Sequence, residues 1–110
     1  MHPAPSDIEA AAARIADRVR HTPLLRLKAD ELGLGYPVTL KLELLQHAGS
    51  FKPRGAFNRI LAAREAGELP PAGVIAASGG NHGAAVAFVA RALGLTAEIF
   101  VPELTPPAKR

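Results

Sequence analysis

The stretch from Val74 to Val101 narrows the fold more than any other part of the chain. Val74-Ile75-Ala76-Ala77 is a short apolar run, and Ser78-Gly79-Gly80-Asn81-His82-Gly83 breaks it with glycines. Ala84 to Leu93 then carries a helical pattern that Gly94 stops, and Ala97-Glu98-Ile99-Phe100-Val101 forms a second strand candidate. The order strand, loop, helix, strand implies two parallel strands joined by a right-handed crossover. The expected fold class is therefore α/β. Two such strands cannot cover both faces of a sheet, so a chain of 110 residues built around them is expected to expose apolar surface.

The preceding segments fit this plan. From Ser6 a helix is expected, with Ser6 as cap and Glu9 completing a capping box, ending by Thr22-Pro23. Leu24 to Leu27 and Val38 to Glu43 read as strands, and Lys28 to Leu32 as a helical turn closed by Gly33 and Gly35. A loop from Leu44 to Phe51 leads into a second helix, with Pro53 at its first position, Phe57, Ile60 and Leu61 on its apolar stripe and Gly67 as its stop. Glu68-Leu69-Pro70-Pro71-Ala72-Gly73 is the one Pro- and Gly-rich connection, which places a boundary at residues 64–73. A further helix start is read at Thr105-Pro106-Pro107.

Composition excludes several classes of function. The formal charge is +3, but lysines and arginines are interspersed with acids and form no basic run, which argues against nucleic acid as a partner. The absence of cysteine removes disulfides and thiolate metal sites. His2, His21, His47 and His82 show no ligand spacing, so no metal is expected, and neither Ser50 nor Ser78 sits in a nucleophile elbow. Met1 to Pro5 has no signal-peptide pattern and no apolar run approaches the ~20 residues of a membrane span. A cytoplasmic protein with no membrane partner is the expectation.

Chemistry concentrates in two stretches, Ser50-Phe51-Lys52-Pro53-Arg54-Gly55-Ala56 and Ser78-Gly79-Gly80-Asn81-His82-Gly83. Lys52 and Arg54 stand at a helix start, where the dipole disfavours cations by roughly 0.3–1 kcal/mol. A lysine against that field and beside Phe51 is expected to have a lowered pKa, as an amine nucleophile requires; equally, both cations can simply face solvent. The second stretch, with three glycines before a helix, can present backbone N–H groups to an anion, glycine tolerating positive φ there. The same pattern also serves as a tight turn in a doubly wound sheet. The carboxylates Asp7, Glu9, Asp17, Asp30, Glu31, Glu65 and Glu68 read as solvated.

Together, in this order, the two stretches resemble the catalytic domain of the threonine/serine dehydratases and serine racemases, in the tryptophan-synthase-like, fold type II group of pyridoxal-phosphate enzymes. The resemblance runs from about Thr22 to the C-terminus and includes Lys41-Leu42-Glu43 and Ile99-Phe100-Val101-Pro102. It implies a two-domain, parallel-sheet enzyme of which this chain is a truncated N-terminal part. Residues 1–63 would belong to the large cofactor domain with the Schiff-base lysine, 64–73 to a linker, and 74–110 to the start of a small domain.

The resemblance assigns pyridoxal 5'-phosphate as cofactor and Lys52 as the lysine that binds it and moves the substrate α-proton. Phe51 would lie against the cofactor and Asn81 would bond its phenolic oxygen, while Ser78, Gly79, Asn81 and His82 would receive the substrate carboxylate. Lys52-Pro53-Arg54 and Asn81-His82 differ from the Lys-Asp-Arg and Gly-Asn-Thr of β- and γ-replacement enzymes, and Gly79 stands where racemising members carry a serine. The implied activity is dehydration of L-threonine or L-serine to a 2-oxo acid and ammonia, in a full-length protein expected to be a homo-oligomer. Racemisation and non-catalytic anion binding are the alternatives. The family's phosphate-binding glycine run and its pyridine-nitrogen partner lie downstream of Arg110, so the 110 residues alone are expected to be inactive.

Overall fold

The computed structural model describes residues 2–104 and 107. Its elements, in order, are helix α1 (Pro5–Ile15), strands β1 (Leu24–Leu27) and β2 (Val38–Lys41), helix α2 (Lys52–Glu65), strand β3 (Val74–Ala77), helix α3 (Asn81–Ala92) and strand β4 (Ala97–Phe100). Two single-turn 3-10 helices, Glu43–Leu45 and His47–Gly49, link β2 to α2.

The expected order of strand, helix and parallel strand is present. β3 and β4 are parallel, with Val74 opposite Ala97 and Ala77 opposite Phe100. β1 and β2 form a separate antiparallel pair, Leu24 opposite Lys41 and Leu27 opposite Val38. Along α2, Pro53, Ala56, Phe57, Ile60 and Leu61 are buried. That spacing repeats every three to four residues, so one stripe of the helix faces the core. α3 answers with Ala85, Val86 and Val89, and Ile15 of α1 and Ala76 of β3 complete the cluster. Phe57 is only 2% exposed at its centre. The opposite faces are bare: Ile75 is 68% and Phe100 57% exposed, the uncovered sheet surface that a two-strand unit entails.

Several boundaries differ from expectation, each for a local reason. α1 begins at Pro5, with Ala4 rather than Ser6 as its N-cap. Proline lacks an N–H and its fixed φ suits the first helical position. Asp7, expected to be solvated, accepts the Ala4 N–H at 2.8 Å and so does the work assigned to Glu9. Residues 29–36 form turns instead of a helical turn, because Gly33 (φ +67°) and Gly35 (φ +77°) both take the left-handed conformation. β2 ends at Lys41, which frees Glu43 from the strand. α2 continues through residues 64 and 65, so the connection to β3 occupies residues 66–73, with Gly67 at φ +70° as the expected stop.

α3 begins three residues before the expected Ala84, so Asn81, His82 and Gly83 are helical. None of the glycines at 79, 80 and 83 uses positive φ. Gly83 is required for space instead: a Cβ there would lie 2.9 Å from the Ser78 carbonyl oxygen and 3.1 Å from Ile99 Cγ2. The helix start read at Thr105-Pro106-Pro107 falls outside the described residues except for Pro107.

Candidate functional site

The N-terminal turns of α2 and α3 share one hollow of about 400 Å³, lined by Phe51, Lys52, Arg54, Gly55, Ala56 and His82. The volume is within the range of small-molecule sites. An adjoining cleft of similar size runs along Arg59, Ile60 and the 68–75 segment and shares Gly55, Ala56 and His82 with it. Lys52 is the first residue of α2, and its backbone N–H is accepted by the buried Ser50 Oγ at 3.3 Å. Its Nζ lies 5.1 Å from the centroid of the Phe51 ring, a cation–π contact. Phe51 itself is 59% exposed, an aromatic face held open at the mouth of the hollow.

Of the residues singled out in the sequence, Phe51, Lys52 and His82 therefore converge on one space. Ser78, Gly79 and Asn81 adjoin it without lining it: Ser78 follows β3, and Asn81 is the exposed first residue of α3. Ser78 is fixed from two sides. Its N–H donates to the Phe100 carbonyl at 2.9 Å and its Oγ accepts the Gly80 N–H at 3.2 Å. The first N–H groups of α3 have no acceptor within the helix, which makes its start a donor surface for an anion.

Arg54 does not act as a free positive neighbour of Lys52. Its Nε and Nη2 pair with the Glu43 carboxylate, which also accepts the Thr22 hydroxyl at 2.6 Å and the Gln46 amide at 3.4 Å. Gln46, 2% exposed, is the hub behind this pair. Its Oε1 accepts the Arg20 N–H at 2.8 Å and its Nε2 donates to the Arg20 carbonyl at 2.9 Å. These contacts clamp the 43–50 segment against the chain around Thr22, and that segment aims Lys52. The sequence pattern did not reveal this role for Glu43, Gln46 and Thr22; the Lys41-Leu42-Glu43 run was its nearest trace.

The hydrogen bond from Arg54 holds the Glu43 carboxyl down, from 4.5 to about 2, against the opposing effect of burial; the Thr22 bond adds to it. The same pairing raises the Arg54 guanidinium. A carboxyl lowered on folding stabilises the fold above its unfolded pKa, and that contribution is lost as pH falls through the folded value. Stability is thus expected to decline between pH 4.5 and about 2. With Arg54 partly exposed, the loss should be about 1–2 kcal/mol. Urea unfolding followed from neutral pH into that window should show the decline, and Glu43→Gln should flatten it.

The residues present suit pyridoxal phosphate: an amine beside an open aromatic face, small Gly55 and Ala56 leaving room, and a helix start nearby for an anion. Among the described residues no group of three His, Asp or Glu is placed to hold a metal, and no helix is long and apolar enough to cross a membrane.

Residues 15–110 match the family described as pyridoxal-phosphate dependent enzyme, and the chain belongs to that family, whose cofactor is pyridoxal phosphate. Among curated relatives it is 43% identical over 102 residues to the L-threonine ammonia-lyase of Geobacter sulfurreducens, covering 93% of this chain and 25% of that one. It is 43% identical over 109 residues to a catabolic L-threonine dehydratase of Staphylococcus aureus strain USA300, covering 94% and 30%. Among solved structures, maize serine racemase superposes with a TM-score of 0.81 at 39% identity, over 93% of this chain and 30% of that one. The chain thus spans between a quarter and a third of the length of these relatives, and its mixed α/β fold matches part of a fold type II enzyme.

Proposed function

We propose that this chain supplies the lysine wall and the carboxylate loop of an ammonia-lyase acting on L-threonine or L-serine. The observation that carries the reading is the convergence of Lys52, Phe51 and His82 on one hollow. Lys52 Nζ would hold the cofactor through its aldehyde, Phe51 would lie against its ring and Asn81 would bond its phenolic oxygen. The start of α3, with Ser78, Gly79, Asn81 and His82, receives the substrate carboxylate on backbone and side-chain donors. Bound pyridoxal phosphate supplies an electron sink for the carbanion. Lys52 Nζ would take the substrate α-proton, and the β-hydroxyl would depart as water. The enamine left by this elimination would tautomerise to an imine, and one water would hydrolyse it to a 2-oxo acid and ammonia.

The domain division follows the same reading. Residues 1–63 belong to a lobe carrying Lys52, which α2 extends to residue 65, residues 74–110 to a second lobe, and 66–73 to their connection; the packing of α2 on α3 is then the contact between lobes. Similarity to a racemase raises a second outcome, since both reactions begin by removing the α-proton. Gly79 has no side chain with which to return a proton to the opposite face, which favours elimination. In the full-length enzyme, L-threonine should be converted to 2-oxo acid and ammonia with the recovered substrate still L. Build-up of the D-enantiomer without 2-oxo acid, read by chiral chromatography, would overturn the assignment.

A further inference from the structure

We propose that His47 is a positioning residue that locks the Lys52-bearing turn to helix α3, and so sets the distance between the amine and the carboxylate loop. The proposal rests on the reading of Lys52 given above. His47 stacks on Phe88, with ring centroids 4.7 Å apart and planes 21° from parallel. Phe88 in turn receives Phe57 of α2 edge-on, at 6.3 Å and 85°. Phe88 is thus held from two sides, by the turn that precedes Lys52 and by the helix that begins with it. Because α3 is one continuous helix from Asn81 to Ala92, fixing Phe88 also fixes Asn81 and His82 at its other end.

The backbone shows why such a lock is needed. Ala48 has φ +58°, the one positive φ outside glycine among the described residues, and Gly49 follows at φ +73°. Two successive left-handed residues reverse the chain into Ser50 and Lys52, and an alanine holds that conformation only where its surroundings impose it. On one side the buried Gln46 does so, its Oε1 accepting the His47 N–H at 3.2 Å. On the other side the stack of His47 on Phe88 does so. With the ring removed, the turn loses its aromatic anchor on α3, and Ala48 loses one of the two supports of its conformation.

The stack requires an aromatic face and not a titrating nitrogen, which makes the inference testable by ring exchange. The full-length protein is saturated with pyridoxal phosphate, the cofactor's circular dichroism band is recorded, and borohydride-fixed label at Lys52 is quantified over time beside the melting temperature. For His47→Ala the expected result is label forming at least ~5-fold more slowly and a dichroic band at least halved, because displacement of a reacting group by an ångström or so is costly. His47→Phe should recover at least half of both signals, and Phe88→Leu should reproduce the loss. The proposal is overturned if His47→Ala changes only the melting temperature, or if His47→Phe is as impaired as His47→Ala. Should His47→Ala not fold, Phe88→Leu decides in the same way against wild type. Wild-type protein that takes no label at Lys52 would instead overturn the assignment of Lys52, leaving the two failures distinct.

Discussion

Replacing Lys52 with alanine in the full-length protein is expected to abolish the absorbance near the visible edge that marks cofactor bound to an enzyme amine. Turnover should fall by at least ~10³-fold, since the same side chain is assigned both attachment and proton transfer. Among the described residues no neighbouring amine is placed to substitute. Among the described residues the other lysines are Lys28 and Lys41; neither lines the hollow, and Lys41 Nζ is engaged with the Thr22 carbonyl at 3.3 Å. Lys52 is half-buried and its side chain makes a cation–π contact with Phe51, so stability should change by less than about 1 kcal/mol. Loss of the absorbance with an unchanged unfolding midpoint separates chemistry from folding. Persistence of the band would remove Lys52 from its assigned role.

The second large effect is expected at Gly83. Valine there would drive its Cβ to within 2.9 Å of the Ser78 carbonyl oxygen and 3.1 Å of Ile99 Cγ2. One neighbour is backbone and the other belongs to β4, so neither yields as a flexible side chain tip would. Either α3 lifts from the sheet or the end of β3 moves, at a cost of about 1–3 kcal/mol. Both movements displace Ser78 from the start of α3 and open the surface assigned to the substrate carboxylate. A lowered urea midpoint together with weakened substrate binding is the expected pair of results. Unchanged substrate binding in a destabilised Gly83→Val protein would show that the Ser78 loop is not part of the site.

Gly83 also illustrates what the sequence could and could not convey. The strand at Val74 to Ala77 and the parallel pairing with β4 followed from a short apolar run and the order of elements, and both are present. In the sequence the glycines after Ala77 have the pattern of permissive loop residues, yet Gly83 lies inside α3, where it admits the close approach of helix and strand. Glycine carries both meanings, and local pattern does not separate them. Conversely, Ala48 takes the left-handed conformation without any glycine to announce it.

Three of the residues that line the candidate site were legible in the sequence, and the residues that support them were not. Lys52, Phe51 and His82 stand in motifs that can be read, and they meet in one hollow. Glu43 stands 11 residues from Arg54 and 21 from Thr22, and the stack of His47 on Phe88 joins residues still farther apart. Those partnerships arise from tertiary packing, so neither periodicity nor capping pattern reports them. Arg54 shows the consequence: beside Lys52 in sequence it reads as a second positive charge, whereas in the fold it is neutralised by Glu43.

The central claim is that Lys52 is the amine that holds pyridoxal phosphate. Full-length protein incubated with pyridoxal phosphate, reduced with borohydride and digested should yield a single pyridoxyl-bearing peptide, containing Ser50-Phe51-Lys52-Pro53. Label distributed over several lysines, or concentrated at one other than Lys52, would contradict the account.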